Sequence, residues 1–138
     1  ARPVLIVPTA GQFPHVGSRA LVAWNGGMEA TRAVFNALPL LRVAALVTVV
    51  EFHRGAVGGR QPGADLALYL ARHGVRCDVQ SEPAPIRDGE ALLSLTADLQ
   101  ADLIVMGCYG RSRFREVMLG GVTETILASM TAPVLMSH

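Results

Sequence analysis

The sequence predicts an α/β protein built around a doubly wound parallel sheet. Short apolar runs alternate along its 138 residues with segments whose apolar residues recur at the helical period. Several of these runs are almost entirely Val, Leu and Ala, which is typical of strands buried on both faces of a parallel sheet. A chain of this length forms one domain around one core. We therefore expect helices on both faces of the sheet, joined to it by right-handed crossovers.

The elements follow from the apolar runs and the segments between them. Runs that predict strands lie at 2–8, where prolines bound the run, and at 19–24, 45–51, 75–80, 103–106 and 133–137. Helical spacing predicts helices after 27, over 64–72, after 88 and after 120. Glycine and proline mark 9–17 as a linker, 53–63 as a loop and 82–85 as the end of a strand. The apolar face of the last helix is predicted to carry Val122, Ile126, Leu127 and Met130.

Charge and composition exclude several classes of protein. Twelve basic and 11 acidic residues give a net charge of +1, which argues against a general nucleic-acid binder. Every basic residue is an arginine, so no lysine can contact a phosphate or form a Schiff base. No apolar run reaches the roughly 18 residues of a membrane-spanning helix, and the first residues lack a signal-peptide pattern. We expect a cytoplasmic protein that binds neither nucleic acid nor membrane.

No catalytic constellation is visible, so we do not expect an enzyme. The sequence has no Gly-x-Ser-x-Gly nucleophile elbow, no phosphate-loop lysine and no paired-cysteine or His-Glu-x-x-His metal motif. Its two cysteines, Cys77 and Cys108, are expected to be buried thiols. A redox role for Cys108 is the alternative, because a nearby helix start could lower its pKa. His53 follows the second strand of the parallel sheet, where a solvent-facing residue and a ligand are both possible readings.

The most specific motif is a glycine-bearing loop between the apolar run at 103–106 and the last helix. Two residues separate Gly107 from Gly110, and nine more separate Gly110 from Gly120. Glycines let a backbone approach a ligand closely, and the first N–H groups of the helix then point at an anion. This arrangement favours phosphate binding. The alternative is a strand–loop–helix corner without a ligand.

This glycine spacing, with Gly120-Gly121-Val122-Thr123 at its end, resembles the nucleotide motif of the universal stress protein family. The resemblance covers most of residues 19–138 and includes the final Ala132-Pro133-Val134-Leu135-Met136. It implies a five-stranded sheet in the order 3-2-1-4-5, with an extra N-terminal strand in this chain. The reversal of strand order then opens a crevice at the carboxyl ends of the strands.

The resemblance also implies a nucleotide site in that crevice. Its cofactor would be ATP or AMP, with Mg accompanying ATP. The sequence departs from the family pattern at Gly121, where a hydroxyl residue is usual, and at Asn25, where an Asp contacts the adenine or ribose side. Both departures predict weak binding. The implied site residues are Trp24, Asn25, Gly26, Val49, Met106, Gly107, Gly110, Arg111, Gly120, Gly121, Val122 and Thr123.

The N-terminal run repeats the pattern of the last strand. Pro3-Val4-Leu5-Ile6 matches Pro133-Val134-Leu135-Met136 in character. In the resembling family this pattern ends a domain, so residues 1–17 are expected to be the tail of a preceding domain, and 18–138 the universal-stress-type domain. A native proline-bounded extension is the alternative. Because an unpaired apolar edge invites another strand, we expect a homodimer or a tandem pair of domains through 133–137. Residues 3–7 have the same apolar pattern, so they could instead pair with 133–137 of their own chain or of a neighbouring one.

Two functions follow from these observations. The first is a stress-response regulatory module that binds an adenine nucleotide without fast turnover. The second is a dimerisation module of the same fold that binds no nucleotide. An adenylating enzyme is a more distant alternative, because such enzymes need an acidic and lysine-bearing apparatus that this sequence lacks.

Overall fold

The computed structural model describes residues 2–53, 63–83, 89–109 and 121–138. These residues form one six-stranded sheet with helices packed on both faces. The strands are β1 (Val4–Ile6), β2 (Arg19–Trp24), β3 (Leu46–His53), β4 (Asp78–Pro83), β5 (Leu103–Gly107) and β6 (Val134–Ser137). The helices are α1 (Met28–Leu41), α2 (Ala64–Arg72), α3 (Gly89–Asp98) and α4 (Gly121–Ser129).

The strands lie in the order β1-β6-β5-β2-β3-β4. Neighbouring strands are parallel except β1 and β6, which are antiparallel. The predicted α/β class is therefore confirmed, and β2 to β6 follow the expected doubly wound order. The sheet has six strands rather than five because the N-terminal strand joins its edge.

β1 covers the strand that the sequence placed at the edge of the sheet. It pairs with β6 through Val4 with Met136, Leu5 with Leu135, and Ile6 with Val134. The other side of β6 pairs with β5. Of the pairings that the sequence allows for 133–137, the structure shows the one in which the N-terminal segment of the same chain covers this strand.

Two apolar layers hold the helices against the sheet. Alternate residues of β2, β3 and β5 face α1 and α2, and the intervening residues face α3 and α4. The central strands are buried on both sides, as their nearly continuous apolar sequences predict. α1 buries one helical face, as predicted, through Ala30, Ala33, Val34, Ala37, Leu38 and Leu41. Its three alanines allow the helix axis to approach the sheet closely.

Three predicted details are wrong. β4 begins at Asp78 rather than at residue 75 and continues to Pro83, where the sequence predicted a break. β4 lies at the sheet edge, and an edge strand tolerates a proline because one row of its backbone groups has no partner strand. β3 extends to His53 rather than ending at residue 51. Leu127 is exposed, and Thr123 takes a place on the buried side of α4 instead.

Asp102 fixes the start of β2 against the start of β5. Its carboxylate accepts hydrogen bonds from the backbone N–H groups of Gly17, Ser18 and Arg19, at 3.2, 3.1 and 2.8 Å. Its own N–H donates to the Arg19 carbonyl at 2.9 Å. Gly17 adopts a left-handed conformation, with φ of 88°, that lets consecutive N–H groups converge on one carboxylate. Asp102 therefore sets the alignment of the two strands on which the crevice depends.

We predict that Asp102→Ala destabilises the fold by about 1–3 kcal/mol, because three N–H groups lose a charged acceptor. Thermal and urea unfolding measure the loss. Asp98→Ala, at an exposed position at the end of α3, is the matched control and should change stability by less than about 0.5 kcal/mol. Equal effects of the two substitutions would contradict the role given to Asp102.

Candidate functional site

Five residues at the carboxyl ends of adjacent strands lie side by side across the sheet. Glu51 pairs with Trp24 on one side and with Ser81 on the other, and Gly107 pairs with Ser137. Continuing the β2–β5 register by two residues brings Trp24 level with Gly107. We call these five residues the rim. The order of the strands reverses between β2 and β5, so the rim crosses the point where doubly wound sheets bind ligands.

Gly107 is in direct contact with the first turn of α1. A Cβ at this position would lie 2.6 Å from the Ala30 nitrogen and 2.7 Å from the Glu29 carbonyl carbon. These are backbone atoms, so any larger residue would displace α1 from the sheet. The contact brings the end of β5 against the beginning of α1. The sequence predicted that these two segments open on a common crevice, and the structure brings them together.

The turn from β2 into α1 is held by Asn25. Its Oδ1 accepts a hydrogen bond from the Gly27 N–H at 2.9 Å, and Gly26 adopts a left-handed φ of 72°. Gly27 caps α1 without a side-chain hydrogen bond. The Asn25 side chain therefore stabilises its own turn in the manner typical of Asn. Asn25 as a whole is exposed at the rim end of β2.

Two other predicted site residues are buried within the sheet. Val49 is fully buried on the α1–α2 side, and Met106 is buried on the α3–α4 side. Neither side chain reaches the crevice. A ligand above the rim would meet these strands through backbone groups rather than through these side chains.

α4 begins at Gly121, one residue after the last glycine of the motif, as the sequence predicted. Gly121 and Val122 are half-buried, and Thr123 is buried. The first N–H groups of a helix have no partner within the helix, so they are available to an anion. α4 packs on the face of the sheet opposite to α1. Gly110, Arg111 and Gly120 lie outside the described residues.

Cys108 is a buried thiol rather than an activated one. Burial raises its pKa, and the negative charge of Glu29 adds to that shift, while a backbone hydrogen bond opposes it. The expected buried thiol is confirmed for Cys108, and the direction of its pKa speaks against the alternative of an activated thiol. The backbone of Cys108 is also tied down, because its N–H donates to the Ser137 carbonyl and its carbonyl lies 3.1 Å from the His138 Nδ1.

Tyr109 projects from the end of β5 in a strained conformation. Its φ is 53°, which is uncommon for a residue with a large side chain, and its ring is exposed. The ring meets His138 edge to face, with centroids 6.4 Å apart. This exposed aromatic ring lies next to the rim but was not among the predicted site residues.

Glu51, like Ser81 and Ser137, is a rim residue that was not among the predicted site residues. Its Oε2 atom is fully enclosed and accepts no hydrogen bond within the described part of the chain. Burial raises the pKa of this carboxyl above 4.5, and the charge of His53 opposes the shift. Glu51 lies on the α1–α2 side, where the start of α2 covers it: a Cβ on Gly63 would lie 3.9 Å from Oε2. The sequence could have indicated Glu51, because it is an acidic residue at the end of an otherwise apolar strand.

Two other kinds of site are absent from the described ranges. No helix there is long and apolar enough to cross a membrane. No group of three or more His, Cys, Asp or Glu residues there is arranged to hold a metal ion.

Comparison with known proteins agrees with this architecture. The sequence pattern of the universal stress protein family matches residues 78–138. Universal stress protein MJ0577 from Methanocaldococcus jannaschii is 35% identical over 46 residues, which are 33% of this chain and 28% of that protein. Residues 78–138 are therefore similar in sequence to the universal stress protein family. The likeness of the N-terminal half is a likeness of fold.

Solved universal stress proteins share that fold. A structure from Archaeoglobus fulgidus superposes with a TM-score of 0.74 at 20% identity, over 96% of this chain and 48% of that one. UspA from Lactobacillus plantarum gives a TM-score of 0.68 at 14% identity, over 90% and 99% of the two chains. The chain thus spans less than half of the first structure and matches about a quarter of the curated relative.

We predict that Glu51→Gln removes a pH-dependent loss of stability. A raised pKa means that the fold favours the protonated carboxyl, so the wild-type protein loses stability as the pH rises from about 4.5. Glutamine has nearly the same shape and carries no charge. The variant should therefore be more stable than wild type at pH 7, and the difference should disappear towards pH 4.

Thermal unfolding across this pH range measures the difference. Glu90→Gln, at an exposed position in α3, controls for the loss of one negative charge and should show little change with pH. A Glu51→Gln variant that parallels Glu90→Gln at every pH would contradict the desolvation of Glu51.

Proposed function

We propose that this chain is a universal-stress-type regulatory module that binds an adenine nucleotide weakly at the rim, without fast turnover. The observation that carries the proposal is the contact of Gly107 with the first turn of α1. It joins the end of β5 to the β2–α1 turn at the reversal of strand order, which is the general ligand site of doubly wound sheets.

The phosphates would bind to the N-terminal turn of α4. Gly121, Val122 and Thr123 offer backbone N–H groups there, and the helix dipole favours an anion. Glu124, in the same turn, is exposed and weakens this field. The remaining proposed phosphate contacts, Gly110, Arg111 and Gly120, rest on the sequence motif alone.

The nucleoside would lie above β2 and β3. Trp24 and Gly26 offer a half-buried indole and a backbone without a side chain, while Val49 and Met106 offer backbone groups. Asn25 offers its amide N–H₂ because its oxygen is engaged by Gly27. An amide supplies no charge where the family has Asp, which supports weak rather than tight binding.

Solved relatives support an adenine nucleotide as the ligand class. One universal stress protein was crystallised in complex with cAMP and superposes on this chain with a TM-score of 0.64 at 20% identity. Another, from Archaeoglobus fulgidus, was crystallised in complex with dAMP and superposes with a TM-score of 0.60 at 17% identity. For this chain, the absence of any lysine argues against fast hydrolysis, since phosphoryl-transfer sites commonly neutralise phosphate with one.

We predict millimolar-range binding of ATP and AMP, and tighter binding by Gly121→Ser. The serine would restore a hydroxyl at the start of α4, and one hydrogen bond contributes about 0.5–1.5 kcal/mol, or roughly a twofold to tenfold gain in affinity. Trp24 is the only tryptophan in the chain, so its fluorescence reports directly on the rim during titration. The titration is run with and without magnesium.

Ala128→Ser is the matched control, because Ala128 is exposed in the same helix, two turns further from its start. It should leave the affinity unchanged. Failure to detect ATP or AMP at several millimolar would defeat the nucleotide proposal and leave the alternative, a dimerisation module of the same fold. A loss of affinity in Gly121→Ser would show that this position needs glycine for its backbone.

We also propose that β1 occupies the place of a partner strand. Residues 1–17 would then correspond to the tail of a preceding domain, and 18–138 to the universal-stress-type domain. The support is the symmetry of the pairing between β1 and β6. Leu5 pairs with Leu135, which holds the same place in the repeated pattern. Val4 pairs with Met136 and Ile6 with Val134, so the two flanking positions pair crosswise. Such a register is that of two like strands related by a two-fold axis.

We predict that removal of residues 1–10 converts a monomer into a dimer. The deletion exposes the β6 edge, whose apolar residues can then pair with those of a second copy. Sedimentation of both forms over a range of concentrations measures the change. A deletion variant that remains monomeric at high concentration would contradict strand exchange. An intact chain that is already dimeric would place the interface elsewhere than on β6.

A further inference from the structure

We propose that Glu51 binds the ribose hydroxyls of the nucleotide and makes the site selective for ribonucleotides over 2′-deoxyribonucleotides. The inference rests on the proposed function, since it concerns the sugar of the same ligand. It adds a residue that the family motif does not contain.

Glu51 has a side-chain oxygen without a hydrogen-bond partner in the described part of the chain. Buried side-chain oxygens of folded proteins nearly always have a hydrogen-bond partner, so an enclosed one without a partner needs an explanation. Glu51 Oε2 is enclosed and has no partner within the described part of the chain. It lies level with the last residue of β2 rather than deep in the core. Because Glu51 as a whole is only half-buried, a rotation of its side chain would bring this oxygen to a ligand donor at the rim.

The position of Glu51 in the topology supports a ribose ligand. The chain passes from β2 through the glycine turn at Gly26 into α1, and then along β3 to Glu51. In the nucleotide-binding α/β folds, an acidic residue at the end of this second strand accepts hydrogen bonds from ribose hydroxyls. Glu51 occupies the equivalent place in this sheet.

The chemistry around Glu51 suits ribose hydroxyls better than a metal ion. A single carboxylate beside an indole is a poor metal site, and the described residues provide no further His, Cys, Asp or Glu cluster there. Ribose offers two adjacent hydroxyl donors, which suit the two oxygens of one carboxylate. Trp24, paired with Glu51 across β2 and β3, gives the apolar surface on which a nucleoside ring can rest.

The closing experiment compares AMP with 2′-dAMP, using the fluorescence of Trp24 in wild type, Glu51→Gln and Glu90→Gln. We expect wild type to bind AMP about tenfold more tightly than dAMP, because the hydrogen bond lost involves a charged acceptor. Glu51→Gln should weaken AMP binding by about tenfold and change dAMP binding by less than about threefold. Glu90→Gln should change neither.

The remaining outcomes separate this inference from the function on which it rests. If wild type binds AMP and dAMP equally and Glu51→Gln changes neither affinity, the role of Glu51 is refuted and the nucleotide site stands. If Glu51→Gln tightens both ligands, the carboxylate only repels phosphate, and the inference again fails. If wild type binds neither nucleotide, the proposed function fails and takes this inference with it.

Discussion

The fold at the carboxyl ends of the strands depends on Gly107, because this residue has no side chain. The backbone of β5 meets the backbone of α1 there at a distance that no Cβ would allow. That contact sets how closely α1 approaches the sheet, and with it where the β2–α1 turn lies relative to the end of β5. At the opposite end of the same strands, Asp102 gathers three N–H groups at the start of β2. The two strands are thus fixed at both ends by different means.

The rim has an uneven chemistry because its neighbours differ. Towards β6, Gly107 and Ser137 are occupied by contacts with α1, including the Asn36 to Ser137 hydrogen bond of 3.1 Å. Towards β4, Glu51 keeps an oxygen with no partner in the described residues. Among the described rim residues, the acceptor without a partner therefore lies on β3, while the N–H donors available to a ligand lie at the start of α4. A nucleotide bound as proposed would have its phosphates at the start of α4, where N–H donors favour an anion, and its sugar beside the carboxylate acceptor of Glu51.

The local sequence predicted the bounds of β2 and α2 correctly, because each has the same kind of surroundings along its whole length. β2 has the predicted bounds because an apolar run ends at an Asn-Gly-Gly turn, and α2 because its apolar spacing is regular. The bounds of β4 were wrong because an edge strand needs only one hydrogen-bonded side, which its sequence does not specify. Glu51 was missed because its surroundings include Gly63 at the start of α2, which lies beside it only once α2 packs on the sheet. Such tertiary effects leave no local pattern.

The short β1 strand determines how the sheet ends. Without it, β6 would present an apolar edge able to pair with a strand from another molecule. With it, the outermost strand has only three residues, and Pro3 and Pro8 flank it with positions that have no N–H to donate. A strand so short and so bounded is a poor template for further growth. β1 therefore protects the protein against edge-to-edge aggregation during folding and at high concentration.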